Sequence, residues 1–560
     1  MNDLARLQVL RSAASEHYRR GDLRGAEHFI NEALKLDPQS AELWSNRGTL
    51  QAATKQANAA LASFSRAIQL KPDFLGAMAN RAHILFELQR YAEAIPDYQR
   101  LVRADPDQPY LRGHLLFCRL QCCDWSDLGR ERAEVIAALK EGKRVFPPVL
   151  SAALLNSPAE QLRAAEILGR NKFPPVPPLW RGESYRHDRI RIAYVSADFH
   201  SHATAMLTVG MFERHDRKRF ETVAISFGPE DGSPLRGRVK RAFDRFIDLR
   251  GRDDGHIARA IRTSEIDIAI DLKGYTSDAR PGIFALRPAP IQVNFLGFPG
   301  TMGVDFMDYI IADPVIVPRA DEAHYSEKIV WLPNSYQPND RTRDVAASVL
   351  SRGAVGLPET GFAFCCFNNS YKIQPAVFEV WMSLLTQVDG SVLWLLADNP
   401  TAVSNLKREA ERRGVESKRL VFGQRLDLPE HLARHALADL FLDTLPYNAH
   451  TTASDALWAG LPVVTCKGNT FAGRVAGSIL KAAGLPELVT ESLADYEALA
   501  LTLARDPAKL SAIKAKLKPN LATVPLFDIA RYTRDIEAAY GSMHERRQRG
   551  LPPASFAIGQ

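Results

Sequence analysis

Between Leu442 and Gly460 the chain reads Leu-Asp-Thr-Leu-Pro-Tyr-Asn-Ala-His-Thr-Thr-Ala-Ser-Asp-Ala-Leu-Trp-Ala-Gly, a pattern suited to holding an anion. The apolar run Ala438–Leu442 predicts a buried strand, Pro446 and Asn448 a turn, and Ala453–Ala459 the opening turns of a helix. Thr451 or Thr452 is expected to cap that helix. With Thr452 as the cap, Asp455 takes the acidic place of a capping box. A helix opening on His450, Thr451 and Thr452 aims free backbone N–H groups and its positive dipole end out of a sheet edge, where a phosphate can sit. The same pattern also describes a capped helix after a strand, with no ligand. Other polar loops follow apolar runs, where the crevice of an open α/β sheet lies: Asp198, His200 and His202; Lys273-Gly274-Tyr275-Thr276; Gly297-Phe298-Pro299-Gly300-Thr301; Asn368-Asn369-Ser370-Tyr371-Lys372; and Arg425–Arg434.

The elements that would position these loops come in two sets. Ile190–Ala197, Phe220–Phe227, Ile266–Leu272, Ile291–Gly297 and Tyr309–Ala312 read as strands, and so do Phe362–Phe367, Val392–Leu396, Leu420–Phe422, Leu440–Leu442 and Pro462–Thr465. Continuous β-branched runs alternating with helical segments predict parallel sheets covered on both faces. Two such sets imply two facing Rossmann-like domains. Neither carries Gly-x-Gly-x-x-Gly after its first strand, which argues against a dinucleotide cofactor. The last helical segment, Ile529–Arg547, is placed to cross back over the first domain.

The first third repeats. Pro38, Pro72 and Pro106 are spaced by 34 residues (72 − 38 and 106 − 72), as are Ala26, Ala60 and Ala94, and the bulky Ile30, Phe64 and Tyr98. Asn46-Arg47 and Asn80-Arg81 keep the phase. Small residues at a helix crossing, a large one a turn later and a closing proline describe a helix-turn-helix unit like the tetratricopeptide repeat. Such a solenoid offers a groove for a polypeptide, or else braces its neighbour. From Gln121 to Arg186 the phase is lost, and Pro147-Pro148 and Pro174–Pro178 mark a stiff linker after a helical adaptor.

The chain has 560 residues, 46% hydrophobic and 24% charged, with a formal net charge of +6. That charge is too dilute to argue for nucleic acid. No apolar run approaches the roughly 20 residues of a membrane span, and the first residues lack a signal-peptide core. Cys118, Cys122, Cys123, Cys365, Cys366 and Cys466 do not form a zinc-site spacing and read as reduced, buried thiols, so the expected compartment is the cytosol.

Taken together, the repeats, Tyr194-Val195-Ser196-Ala197-Asp198-Phe199 with His202, Phe284–Gln292 (Phe-Ala-Leu-Arg-Pro-Ala-Pro-Ile-Gln), Phe295–Thr301, Tyr371-Lys372-Ile373 and His450-Thr451-Thr452 resemble the O-linked N-acetylglucosamine transferases of glycosyltransferase family 41. The likeness covers essentially the whole chain. It is that of a compact, bacterial-type relative, because only a short stretch around Asn334–Gly361 joins the halves. It implies an α-solenoid followed by an α/β, GT-B type glycosyltransferase. The expected division is repeats at 1–122, adaptor and linker at 123–186, a first catalytic domain at 187–350, a nucleotide-binding domain at 351–545 and a tail at 546–560.

The resemblance implies attack of a Ser or Thr hydroxyl on the anomeric carbon of UDP-GlcNAc, with inversion and loss of UDP. It assigns Lys372 and the helix start His450-Thr451-Thr452 to the diphosphate. Asn369, Leu426, His431 (stacking on uracil), Arg434 (at its edge) and Asp455 (at the ribose hydroxyls) complete donor binding, and Gly297, Pro299, Gly300 and Thr301 line the sugar and acceptor cleft. His202 is the candidate base, or else a hydrogen-bond donor to the sugar; leaving-group oxygens or water are the other proton acceptors. The chain departs from the family at Leu428, where a lysine is usual and Arg425 offers a substitute, and at Asp267, where a second histidine is usual, a difference that argues against an obligatory base there. No metal or cofactor is expected, since the only Asp-x-Asp, Asp105-Pro106-Asp107, falls in a repeat turn. The expected partners are UDP-GlcNAc and a polypeptide presented by the repeats, with no nucleic acid and no membrane. The competing readings are another donor (GDP-fucose or UDP-glucose) on the same fold, and a repeat-based binding protein with a decayed transferase domain.

Overall fold

The computed structural model describes residues 3–146, 148–347 and 350–559; Pro147, read above as part of the linker, lies outside them. The chain forms two compact units, Met1–Val135 and Ile136–Gln560.

The first unit is helical. Asp3–Arg19 pairs with Leu23–Leu36, Ala41–Ala53 with Ala57–Leu70, and Leu75–Glu87 with Tyr91–Ala104. Ala26, Ala60 and Ala94 are fully buried, because at these crossings any larger side chain would push the helices apart. Gly48 serves the same end: a Cβ there would come within 2.8 Å of the Phe64 ring. Asp22 and Ser40 cap their helices by accepting the N–H of Gly25 and Leu43. The unit extends past the expected limit at 122 into the helix Leu128–Lys140, which Glu134 ties to Arg112 at 2.6 Å.

In the second unit the first sheet contains β1 (Ile190–Ser196), β2 (Phe220–Ser226), β3 (Arg245–Asp248), β4 (Ile268–Asp271), β5 (Ile291–Asn294), β6 (Tyr309–Ala312) and β7 (Lys328–Trp331). The second contains β8 (Ala363–Cys366), β9 (Val392–Leu396), β10 (Leu420–Gly423), β11 (Leu440–Leu442), β12 (Val463–Cys466) and β13 (Val489–Thr490). A last strand, β14 (Phe556–Ala557), pairs with β7. Among the described residues the orders are β14-β7-β6-β5-β4-β1-β2-β3 and β10-β9-β8-β11-β12-β13, all parallel. The central strands are mostly apolar and largely buried on both faces, as helix-covered parallel strands must be.

The end of the chain returns to the first sheet. Helix Ile529–Gln548 packs there, with the Tyr540 and Tyr194 hydroxyls 3.1 Å apart and Glu537 3.0 Å from His215 Nδ1. The segment 546–560, read as a tail, therefore supplies an edge strand, and the second half does not keep its own last helix.

The carboxyl edges of the two sheets meet. Ser478, beyond β12, donates to Asp313 at the end of β6 (2.6 Å), and Arg474 pairs with Asp321 at 2.5 Å. Adaptor helices Pro148–Leu154 and Pro158–Lys172 touch both halves. Gln374 donates to the Ala153 carbonyl at 2.7 Å, and Gly169 packs against Gly303 and Val304. Among the described residues no helix is long and apolar enough to cross a membrane.

Candidate functional site

The helix after β11 runs Thr451–Trp458, and its cap is His450, not Thr452. His450 has φ −109° and ψ −94° and gives no side-chain cap bond. Its Nε2 lies 3.2 Å from the Ala472 carbonyl, and burial holds the ring neutral, far below the usual histidine range. The capping-box reading therefore fails. The Thr452 hydroxyl donates to Asn368 Oδ1 at 2.6 Å, and Asp455 accepts from Arg343 at 2.7 Å instead of closing onto the cap. The first N–H groups of the helix consequently keep no side-chain partner from their own turn, the condition for an anion site.

The turn before this helix is built on Asp443, a fully buried carboxylate. It accepts the N–H groups of Thr444 (2.7 Å) and Ala449 (2.6 Å) and the hydroxyl of Thr465 (2.6 Å). Lys372, from the short turn Ser370–Lys372 after β8, donates to the Asn448 carbonyl at 2.9 Å and lies 3.9 Å from the centre of the Tyr447 ring. Its ammonium therefore sits two residues from the helix cap. Burial lowers the lysine below its usual range and raises Asp443 above its own, while their mutual attraction opposes both shifts.

A second group of side chains lies beside it. His431 stands edge-on to His435 (4.8 Å) and to Phe367 (5.7 Å), and burial pushes it down to about 2, so it is a neutral ring at any working pH. Arg434 lies 4.0 Å from the Phe367 centroid and donates to the Gln424 carbonyl at 2.8 Å. His431 Nε2 is 3.9 Å from Asp455 Oδ2. Leu426 is exposed. Asn369 Oδ1 accepts Arg425 at 2.9 Å, and Arg425 also pairs with Asp398. Arg425 is thus held by Asn369 and Asp398.

On the first sheet, His202 caps helix Ala203–Phe212, its Nδ1 accepting the N–H of Thr204 at 3.2 Å. Asp198 Oδ2 is 3.5 Å from the same nitrogen, but both carboxylate oxygens take the ammonium of Lys273, at 2.7 and 2.9 Å. This buried pair was invisible in the sequence, where Lys273 reads as one polar loop residue among several. The loop 297–301 is fixed by another unforeseen carboxylate, Glu327. It accepts from Thr301 Oγ1 (2.6 Å), the Met302 N–H (2.9 Å) and Asn294 (3.2 Å). The Thr301 hydroxyl therefore braces the loop. Gly297 is required because a Cβ would strike the Leu272 carbonyl at 2.0 Å, and Pro299 and Gly300 are buried beside it. Asp267 is at the opposite end of β4, where it accepts the Arg191 N–H at 2.9 Å and lies 3.1 Å from His187. A histidine or an aspartate there is remote from the carboxyl edge, so the departure carries no information about a base.

The family model for glycosyl transferase family 41 matches residues 176–347 and 340–536. The chain belongs to this family. A tetratricopeptide-repeat model matches residues 11–73 and 56–109. The chain is 35% identical over 464 residues to an Arabidopsis thaliana protein named Probable UDP-N-acetylglucosamine–peptide N-acetylglucosaminyltransferase SEC, covering 78% of this chain and 47% of that one. It is 31% identical to the corresponding SPINDLY protein of Solanum lycopersicum, covering 68% and 42%. A mutant O-GlcNAc transferase of Thermobaculum terrenum aligns at TM-score 0.71 and 28% identity, over 97% of this chain and 98% of that one. The chain spans about half the length of the curated relatives it matches.

Within this family-41 chain the residues fall into two groups. Lys372, His450, Thr451, Thr452, His431, Arg434 and Asp455 gather after β8, β10 and β11, where a buried cation, a helix start, a neutral ring and a carboxylate suit a nucleoside diphosphate. His202 and the loop 297–301 lie at the carboxyl edge of the first sheet. Among the described residues no three His, Cys, Asp or Glu side chains cluster to hold a metal.

Proposed function

We propose that this chain transfers N-acetylglucosamine from UDP-GlcNAc to Ser or Thr hydroxyls of polypeptides, with inversion and without a metal ion. The observation that carries the reading is the buried Lys372 ammonium beside the start of helix Thr451–Trp458. As the bond between the anomeric carbon and the phosphate oxygen breaks, its electron pair passes to the diphosphate, where Lys372 and the helix N–H groups meet the new charge. His431 stacks on the uracil, Arg434 meets its edge, and Asp455 accepts from the ribose.

His202 takes the positioning role. With Nδ1 accepting from Thr204, the neutral ring carries its proton on Nε2 and donates it to the sugar or to the incoming oxygen. Burial outweighs the pull of Asp198 on His202, and Lys273 beside that carboxylate opposes the pull as well, so the ring stays a weak base. The hydroxyl proton then leaves through the diphosphate oxygens or water.

The acceptor polypeptide would lie along the repeats, whose first three helices form a groove of about 410 Å³ lined by Arg11, Tyr18, Leu43 and Asn46. All six cysteines are buried, in keeping with action in the cytosol. A thermal-shift series against UDP, GDP and their sugars tests the donor. Uridine nucleotides should raise the midpoint by mass action; a response to GDP alone would replace the donor, and no response at all would favour a binding protein.

A further inference from the structure

Asp455 is gripped from outside its own domain. Its Oδ1 receives Arg343 Nη1 at 2.7 Å, and both side chains are more than nine-tenths buried. Arg343 belongs to the coil that joins the sheets. Its Nη2 donates to Asn339 Oδ1 at 2.8 Å, and Gln337 of the same coil donates to Ser454 at 2.7 Å. Three residues before Arg343, Asp340 faces the other half and accepts Arg238 at 2.6 Å. The guanidinium is thus fixed from both sides before any ligand arrives. Only Asp455 Oδ2 is left, 3.9 Å from the neutral His431 ring.

We propose that Arg343 is a positioning residue for the nucleotide: by holding Oδ1 it aims Oδ2 of Asp455 at a ribose hydroxyl, so that the site selects ribonucleotides over deoxyribonucleotides. The inference rests on reading this site as one for a uridine nucleotide. Burial alone pushes Asp455 up, to about 6 with Arg343 opposing the shift, so the guanidinium also keeps the carboxyl ionised, and an ionised carboxylate accepts a hydroxyl more strongly. Among the described residues, His431 and Arg343 are the titratable or charged groups found within 4 Å of it.

The test is calorimetric titration of UDP, 2′-deoxy-UDP and 3′-deoxy-UDP into the full chain, its Arg343→Met and Arg343→Lys forms, and Asn339→Ala. The wild type should bind UDP roughly tenfold or more tightly than at least one deoxy analogue, the range of a hydrogen bond to a charged group. Arg343→Met should bring that ratio close to one, whereas Arg343→Lys, which keeps the charge without the planar fork, should retain part of it. A purely structural defect would weaken all three ligands equally and leave the ratio intact. Should Arg343→Met fail to fold, because it leaves Asp455 buried and unpaired, Asn339→Ala removes only the outer support and should still reduce the ratio. An unchanged ratio in whichever variant folds overturns the inference. So does equal binding of UDP and both analogues by the wild type, with the uridine site intact. A wild type that binds no uridine nucleotide overturns the proposed function as well.

Discussion

His202 Nδ1 accepts the backbone N–H of Thr204 at 3.2 Å, so the ring that could have served as a base is held as the cap of the helix it precedes. The proton of the neutral imidazole lies on Nε2, and burial keeps the ring below the ordinary histidine value, so it stays neutral at working pH. His202→Ala should therefore weaken UDP-sugar binding while UDP itself binds normally, and the pH profile of the maximal rate should keep its shape. The lost cap should cost about 1 kcal/mol of stability, visible in denaturant melts. A group titrating near neutrality in the wild-type rate that disappears in the variant would restore His202 as the base.

Lys372 should set the alkaline side of the reaction. Its folded value is depressed below 10.5, so its charge, and with it the grip on the diphosphate, is lost as pH rises through that lowered value. The rate at low donor concentration should fall at a pH below the free lysine range, and Asp443→Asn, which removes the opposing attraction, should move the fall to still lower pH. An alkaline limb that Asp443→Asn leaves in place would separate Lys372 from it.

The sequence revealed much of this because apolar strands announce themselves. Tyr309–Ala312, Val392–Leu396 and Leu440–Leu442 have in the fold the bounds their composition predicts. The strands it did not show are short or polar-edged. Arg245–Asp248 has two charged ends, Lys328–Trp331 is only four residues long and opens on an exposed lysine, and Val489–Thr490 and Phe556–Ala557 owe their pairing to a neighbour, not to a pattern of their own. The site follows the same division. Lys372 and His450-Thr451-Thr452 lie next to strand ends and could be found by position. The partners Arg343 and Asp455 are 112 residues apart, Lys273 and Asp198 are 75 apart, and Glu327 is 26 from Thr301. Such pairings arise from tertiary contact, which local periodicity does not encode. Asp455 misled for that reason: spacing alone fitted a capping box, but the arginine took the carboxylate.

Chelation should leave activity unchanged, because Lys372 and the helix start supply the positive field that a divalent ion would otherwise provide. Turnover in EDTA checks this. Strong inhibition relieved by manganese would overturn the metal-free account.

Removing Met1–Val135 should leave UDP affinity intact, since every donor-site residue lies in the second unit, which has its own core. Transfer to long polypeptides should fall, while transfer to short peptides is spared. Titration with UDP beside the two transfer assays separates the roles; loss of UDP binding would make the repeats a brace.

The most direct measurement is the intact mass of a Ser/Thr-containing polypeptide after incubation with UDP-GlcNAc and the enzyme, beside the Lys372→Ala form. The account predicts one N-acetylglucosamine added to a hydroxyl by the wild type, and at least about a hundredfold less product from a variant that melts like the wild type, as expected when a charge-assisted contact to the leaving group is lost. Equal product from the folded variant, or a mass gain from a different nucleotide sugar and none from UDP-GlcNAc, would contradict it.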